Sequence, residues 1–257
     1  MARPVAVITG ASAGIGTALA RVFAAHGHEL VLVARREERL QALAQDITAQ
    51  GRPRPLVLGL DLAQPGASER LAKALAAAGF EPQYVVNNAG FGLWGSSATL
   101  SRDEQLAMVD LNVRTVVDLS LAFVDSLARH HGGILNVASV AAFLPGPYMS
   151  VYYASKTFVL SYSQALRAEL AARGIRVTTL CPGPVPTEFQ ARAGGMPHQG
   201  GGWLTRSPEE VAVAGYRGLM SGKARVIPGW ANRIVTFLPR LVPRTLLADQ
   251  MARMQAR

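Results

Sequence analysis

Short apolar runs alternate with longer stretches of helical periodicity along most of the chain. Residues 5–9, 30–34, 56–60, 84–87, 134–139 and 175–181 are runs of strand length, and 225–228 adds a short seventh. Between them, 15–25, 37–50, 67–78, 101–129 and 152–173 repeat apolar residues at three- and four-residue spacing. Ser101 and Glu104 stand at capping-box spacing, and Ser207-Pro208-Glu209-Glu210 starts another helix with Pro in its first turn. Strands that are apolar throughout are buried on both faces, and strand–helix alternation makes the sheet parallel. The expected fold is α/β: a single-domain, doubly wound Rossmann architecture with a parallel sheet of about seven strands. Ligands of such a sheet bind beyond the carboxyl ends of its strands. The domain is expected over 1–229, with a flexible substrate loop at 187–206 and a basic amphipathic extension of the same domain at 230–257.

Composition narrows the function classes. The 257 residues suffice for one large core, and 49% hydrophobic with 17% charged residues describes a compact chain rather than a disordered one. The single cysteine, Cys181, rules out a disulfide framework and points to a reducing, cytoplasmic compartment, as a buried inert thiol. The five histidines do not combine with Cys or carboxylates at metal spacing, so no metal site is expected. The first apolar run is too short for a signal peptide, and no run reaches membrane-span length. The net charge of +9 fits nucleic acid, an anionic membrane or a phosphorylated ligand, but scattered basic residues without a basic–aromatic motif set nucleic acid aside.

The strand ends hold the candidate chemistry. After the first comes Thr9-Gly10-Ala11-Ser12-Ala13-Gly14-Ile15-Gly16. Gly10, Gly14 and Gly16 permit a tight turn, a close ligand and a helix N-terminus aimed at pyrophosphate. After the second, Ala34 stands where an NAD enzyme carries an acid for the ribose hydroxyls. Arg35 follows, suited to a 2′-phosphate, and Ser12 could add a hydroxyl. Two solvated arginines are the plainer alternative. NADP(H) is therefore preferred over NAD(H). Asp61-Leu62 ends the third strand, either for an adenine amino group or as a helix cap. Asn87-Asn88-Ala89-Gly90 ends the fourth.

Tyr152 and Lys156 stand at i and i+4, on one helix face. A neighbouring ammonium would lower the phenol from its ordinary value and fit it for acid/base work. Ser139, at the end of the fifth strand, could hold a carbonyl oxygen. Tyr153 is turned about 100° from Tyr152 and packs elsewhere.

Taken together, TGASAGIG (9–16), DL (61–62), NNAG (87–90), Asn112, Ser139, YYASK (152–156) and PGPVPT (182–187) follow one another in the order of the short-chain dehydrogenase/reductase family, which the chain resembles over nearly its whole length. Within the family the chain most resembles the broad NADP-preferring group that includes ketoacyl and steroid-type reductases. The resemblance implies that Tyr152 donates the proton in reduction and takes it in oxidation. Lys156 would bind the nicotinamide ribose and lower the phenol. Ser139 would orient the carbonyl, and Asn112 would hold a water joining Lys156 to a proton relay. Within the matched motifs, Gly10, Ser12, Gly14, Ile15, Gly16, Asp61, Leu62, Asn88, Ala89 and Gly90 would line the cofactor, with Arg35 beside them from the end of the second strand. Asn88 would also brace the sheet. Pro182, Gly183, Val185 and Thr187 would hold the carboxamide end of the nicotinamide. The glycine loop departs from some NADP-selecting relatives in lacking a basic residue, which leaves the preference on Arg35.

Apolar residues crowd the expected substrate end: Phe143, Leu144, Pro145, Tyr148 and Met149; Phe91, Leu93 and Trp94; Phe189, Met196 and Trp203. Such lining suits an apolar carbonyl or alcohol. Glycines 194, 195, 200, 201 and 202 suggest a lid. From Lys223 onward there are seven Lys/Arg and one Asp. That segment reads as a tail packed on the body or on a neighbouring subunit; peripheral membrane contact is the less favoured alternative. The expected activity is hydride transfer between NADP(H) and a ketone or secondary alcohol, in a homodimer or homotetramer. Its rivals are a nicotinamide-using epimerase or dehydratase and a non-catalytic NADPH-binding sensor.

Overall fold

The apolar runs form seven parallel strands. They are β1 (Arg3–Thr9), β2 (Glu29–Ala34), β3 (Leu56–Gly59), β4 (Phe80–Asn87), β5 (Gly133–Val137), β6 (Arg176–Leu180) and β7 (Arg225–Val226). The computed structural model describes residues 2–194, 202–237, 239 and 242–255. Strand order is β3-β2-β1-β4-β5-β6-β7. The chain therefore winds outward from β1, then returns to lay β4 on the other side of it. That reversal opens a crevice at the carboxyl ends of β1 and β4, the place where such sheets bind ligands.

Alternate strand residues enter opposite layers, as the pleat requires. Ala6, Ile8, Leu30, Leu32 and Leu135 pack with α1 (Gly14–Ala25), α2 (Glu37–Ala49) and a later helix at Pro208–Met220. Val5, Val7, Val31, Val33 and Ile134 pack with α3 (Ala67–Ala77) and the helices that follow β4 and β5.

The helix expected over 101–129 is broken. It runs as α4 (Arg102–Val109), a π-helical turn (Asp110–Arg114), α5 (Thr115–Ala122) and α6 (Val124–Arg129). Side chains compete for the backbone at the π-turn. Thr115 Oγ1 donates to Leu62 O at 2.7 Å and to Asp110 O at 3.0 Å, while Asn112 is drawn fully inward. Phe123 leaves helical geometry at φ −115°, ψ 12°.

After β5 come a 3-10 turn (Val140–Phe143) and α7 (Ser150–Leu170), which begins two residues before Tyr152. The remaining helices are α8 (Phe189–Arg192), α9 (Pro208–Met220), α10 (Trp230–Phe237) and α11 (Arg244–Gln255), with a 3-10 turn at Gly202–Leu204. The capping box of Ser207 and Glu210 forms as expected. Gly195, Met196, Gly200 and Gly201 of the expected lid, and Leu238, Arg240 and Leu241 of the C-terminal segment, lie outside the described residues.

Candidate active site

The first strand ends in a cradle. Gly10 (φ +65°) and Gly14 (φ +53°) adopt backbone that only glycine takes without strain. A Cβ on Gly16 would fall 2.2 Å from Gly10 O, so the turn closes only with glycine there. Helix α1 has no side-chain cap and no acid in its first turn. Its leading amides meet no competing side-chain acceptor, which is the arrangement a pyrophosphate fits. Ile15 packs from this turn onto the core.

Thr9 and Asn88 lock that cradle to β4. Thr9 Oγ1 donates to Val86 O at 2.9 Å and accepts from Asn88 N (2.9 Å) and Ala89 N (3.0 Å). Asn88 Nδ2 donates to Thr9 O at 2.9 Å. Sequence reasoning saw the bracing role of Asn88 and missed Thr9. The signal was a hydroxyl at the last position of an otherwise apolar run.

Ser139 lies two residues beyond β5, where its hydroxyl accepts from Ala141 N at 3.1 Å and pairs with the Tyr152 hydroxyl. Lys156 is buried on the same helix face, with Nζ donating to Val137 O at 2.9 Å. Serine, tyrosine and lysine thus converge at the ends of β5 and α7. The electrostatics differ from the sequence expectation. Burial pushes the Tyr152 phenol up to about 12, with the Ser139 hydrogen bond opposing it. Burial also pulls Lys156 down to about 8. The reason is geometric: the ammonium sits 5.8 Å from the centre of the Tyr152 ring and spends a hydrogen bond on a backbone carbonyl.

Asn112 joins this group from the π-turn. Its Oδ1 accepts from Phe91 N (3.1 Å), and its Nδ2 donates to Phe91 O (2.9 Å) and Ser155 Oγ (3.1 Å). Gly90 lies between it and the lysine. A Cβ there would stand 2.9 Å from Asn112 Oδ1 and 3.5 Å from Lys156 Nζ. Only glycine keeps that point clear.

The chain after β6 closes the other wall. Pro182 O accepts from Val140 N at 2.9 Å, and Val185 O accepts from Gln190 Nε2 at 2.9 Å. Gly183 lies against the Asn232 amide, where a Cβ would come within 2.4 Å of its oxygen. Thr187 packs against Gly14, and its hydroxyl accepts from Phe189 N at 3.3 Å.

At the adenosine end, Arg35 is exposed and forms no ion pair among the described residues. Arg36, passed over in the sequence, crosses the glycine loop instead. Its Nε and Nη2 donate to Ser12 Oγ at 3.4 and 3.3 Å, and Nη1 reaches Glu188 at 2.7 Å. Arg39 pairs with the same Glu188, and the two arginines hold that carboxyl below its ordinary value. Asp61 Oδ1 accepts from Ala63 N at 3.0 Å, a local turn contact; Leu62 is buried.

Of the expected apolar lining, Phe91, Leu93, Met149 and Phe189 gather around Tyr152. Tyr148 takes a positive φ of 60° beside Trp94, a strained conformation for a side-chain-bearing residue. Two residues go elsewhere. Phe143 lies under Arg225, its ring centre 5.3 Å from the guanidinium carbon, and Trp203 packs against Trp230 at a tilt of 44°. Both are drawn away by partners that lie far off in the chain. Burial pushes the Cys181 thiol up to about 12, as suits an unreactive core cysteine.

The family model described as short chain dehydrogenase matches residues 4–196. A sulfoacetaldehyde reductase of Chromohalobacter salexigens is 40% identical over 192 residues, which cover 73% of this chain and 75% of the relative. Among solved structures, a short-chain dehydrogenase from Sphingobium yanoikuyae in complex with NADPH has a TM-score of 0.80 at 31% identity, covering 96% of each chain. A short chain dehydrogenase/reductase from Burkholderia phymatum in complex with NAD has a TM-score of 0.81 at 25% identity, covering 92% of each.

Proposed function

The chain belongs to the short-chain dehydrogenase family, NAD(P)-dependent oxidoreductases of alcohols and carbonyls, and from that premise we propose that it moves hydride between NADP(H) and an apolar ketone or secondary alcohol, with Tyr152 as acid and base. The observation that carries this reading is the convergence of Ser139, Tyr152 and Lys156 on one wall of the crevice. When bound, the nicotinamide supplies or takes the hydride. In reduction, the Ser139 hydroxyl holds the carbonyl oxygen and the Tyr152 hydroxyl gives it a proton. Lys156 then stands on the same helix face as the resulting phenolate, and its charge favours that form. Asn112 Oδ1 and Lys156 Nζ both border Gly90, and a water held between them would give the proton a route back. Asn112 serves by position: its amide also fixes Phe91 against the cleft.

The cradle of Gly10, Gly14, Ile15 and Gly16 would hold the pyrophosphate. Asn88, Ala89 and Gly90 would lie against the cofactor, Gly90 beside Lys156, with Asp61 and Leu62 near the adenine. Pro182, Gly183, Val185 and Thr187 would meet the carboxamide. For the 2′-phosphate, Arg36 and Ser12 already face one another across the loop, and Arg35 is exposed next in sequence. Guanidinium groups match phosphate, and Ala34, not a carboxylate, ends β2 where an acid would receive a ribose hydroxyl. Leu106, Val109, Leu121 and Phe158 leave an apolar face on α4, α5 and α7, which supports a homodimer or homotetramer through these helices. A single buried free thiol supports a cytoplasmic location.

A second substrate reading rests on Arg192. Its guanidinium lies 4.4 Å from the centre of the Phe91 ring at the cleft and forms no ion pair among the described residues. A small aldehyde bearing an anion would suit it. The deciding experiment measures NADPH and NADH oxidation across aliphatic, aromatic and steroid ketones and sulfoacetaldehyde. Tyr152→Phe, Arg36→Ala and Arg192→Ala are measured beside the parent. NADP selection predicts that Arg36→Ala weakens NADPH by about 10- to 100-fold and leaves NADH unchanged. An equal effect on both cofactors would overturn it. Full activity of Tyr152→Phe would overturn the mechanism. A loss confined to sulfoacetaldehyde in Arg192→Ala would select the anionic substrate.

A further inference from the structure

Helix α10 is turned inside out. It buries Ala231, Asn232 and Thr236 and exposes Trp230, Ile234 and Phe237. The exposed three stand at i, i+4 and i+7, one line along the helix. Trp203, 62% exposed, packs at a tilt against Trp230 with ring centres 5.5 Å apart and widens the stripe. Of the ten exposed large hydrophobic residues described, six fall between 203 and 246; the other four are the α4–α5–α7 face already considered. Local hydrogen bonds explain which face turns inward. Asn232 Nδ2 donates to Leu204 O (3.0 Å) and Pro228 O (2.9 Å), and Thr236 Oγ1 donates to Arg233 O (2.9 Å).

Beside the stripe is a cavity of about 300 Å³ lined by Lys223, Arg225, Arg233, Thr236 and the rings of Phe143 and Phe237. No carboxylate lines it, and none of its three cations forms an ion pair among the described residues. Phe237 belongs to both cavity and stripe, so the cations border the apolar surface directly.

We propose that this corner docks on an anionic lipid bilayer, with Trp203, Trp230, Ile234 and Phe237 in the interface and Lys223, Arg225 and Arg233 on lipid phosphates. Tryptophan and large aliphatic side chains settle at the headgroup level, and bordering cations add attraction to anionic lipid. Charge argues against a second copy of the chain as the occupant. A two-fold interface sets a patch against itself. Lys223, Arg225 and Arg233 border it with no carboxylate in the cavity lining, so like charges would meet across it. No described helix is long and apolar enough to cross a membrane, which makes the contact peripheral. Through Asn232 and Gly183 the docked helix is fastened to the catalytic edge of the sheet. The proposal does not depend on the substrate or cofactor assigned above.

The test is flotation of the full chain with vesicles of phosphatidylcholine, alone or with phosphatidylglycerol, at low and high salt. Recovery with the anionic vesicles at low salt, released by salt and absent with neutral ones, is expected. Lys223→Gln with Arg225→Gln should lower partition about thirtyfold, roughly fivefold for each cation removed. Ile234→Ser with Phe237→Ser should lower it at least about tenfold. These residues lie outside the catalytic machinery, so unchanged turnover of a water-soluble carbonyl certifies that both variants are folded. Absence of flotation at low salt, or flotation undiminished in both variants, would overturn the proposal. So would a fall in sedimentation mass in the Ile234→Ser, Phe237→Ser variant, because a second copy would then be what covers the stripe.

Discussion

Helices α7 and α10 both turn polar side chains toward the protein, and the company those side chains keep is different. In α7, Ser155, Lys156 and Ser163 are buried among Val159, Leu160, Leu166 and Leu170. Each has a partner from another element: Asn112, the Val137 carbonyl and Asn136 respectively. The large apolar residues secure the helix, and the polar ones are held by partners from neighbouring elements. In α10 the exposed large residues Trp230, Ile234 and Phe237 face outward, and on the inner face Asn232 bonds to Leu204 O and Pro228 O while Thr236 bonds back within its own helix. A buried polar residue therefore has two meanings. Within an apolar face it is pinned by partners from other elements; on the inner face of α10 it accompanies large residues that face solvent.

The sharpest way to break this comparison is Tyr152→Phe. If α7 is a catalytic scaffold, kcat falls about 100- to 10,000-fold while the urea midpoint stays near the parent value. A matching loss of stability would make the tyrosine a packing residue.

Gly90→Ala tests the space between Lys156 and Asn112. The added methyl would press on Asn112 Oδ1 at 2.9 Å, and a displacement of this size should cost up to about 100-fold in kcat. Unchanged kcat in a folded variant would remove the water route.

The pH profile of kcat/KM separates the two ionisable groups. Tyr152, raised to about 12, remains protonated across neutrality, so oxidation, which needs the base form, should speed up as pH rises. Reduction should hold a plateau and decline above about 8, where the Lys156 ammonium loses its proton. Lys156 also affects stability. Its folded value lies below the unfolded 10.5, so between about 8 and 10.5 the unfolded chain binds more protons, and unfolding free energy should rise with pH there. A reduction profile flat through pH 10 would exclude a role for the ammonium.

On the α10 side the expected effect is smaller. Asn232→Ala leaves the carbonyls of Leu204 and Pro228 without their partner and should cost about 1–3 kcal/mol in chemical denaturation. Ile234→Ser should change stability by no more than about 0.5 kcal/mol, because the residue already faces solvent. If Ile234→Ser cost more than Asn232→Ala, the outward stripe would be structural after all.

The sequence by itself determined the sheet, the order of its motifs and the serine–tyrosine–lysine set. Those features are local: strands show as unbroken apolar runs, turns require glycine, and Tyr152 and Lys156 are one helical turn apart. Tertiary structure alone decided the rest. It brought Arg36 across to Ser12 and Glu188, sent Phe143 to a basic cavity, widened the helix into a π-turn at Asn112 and turned α10 outward. Each of these depends on partners dozens of residues away. Burial, too, is a property of the assembled core. It raises Tyr152 and lowers Lys156, where their spacing in sequence spoke only of mutual attraction.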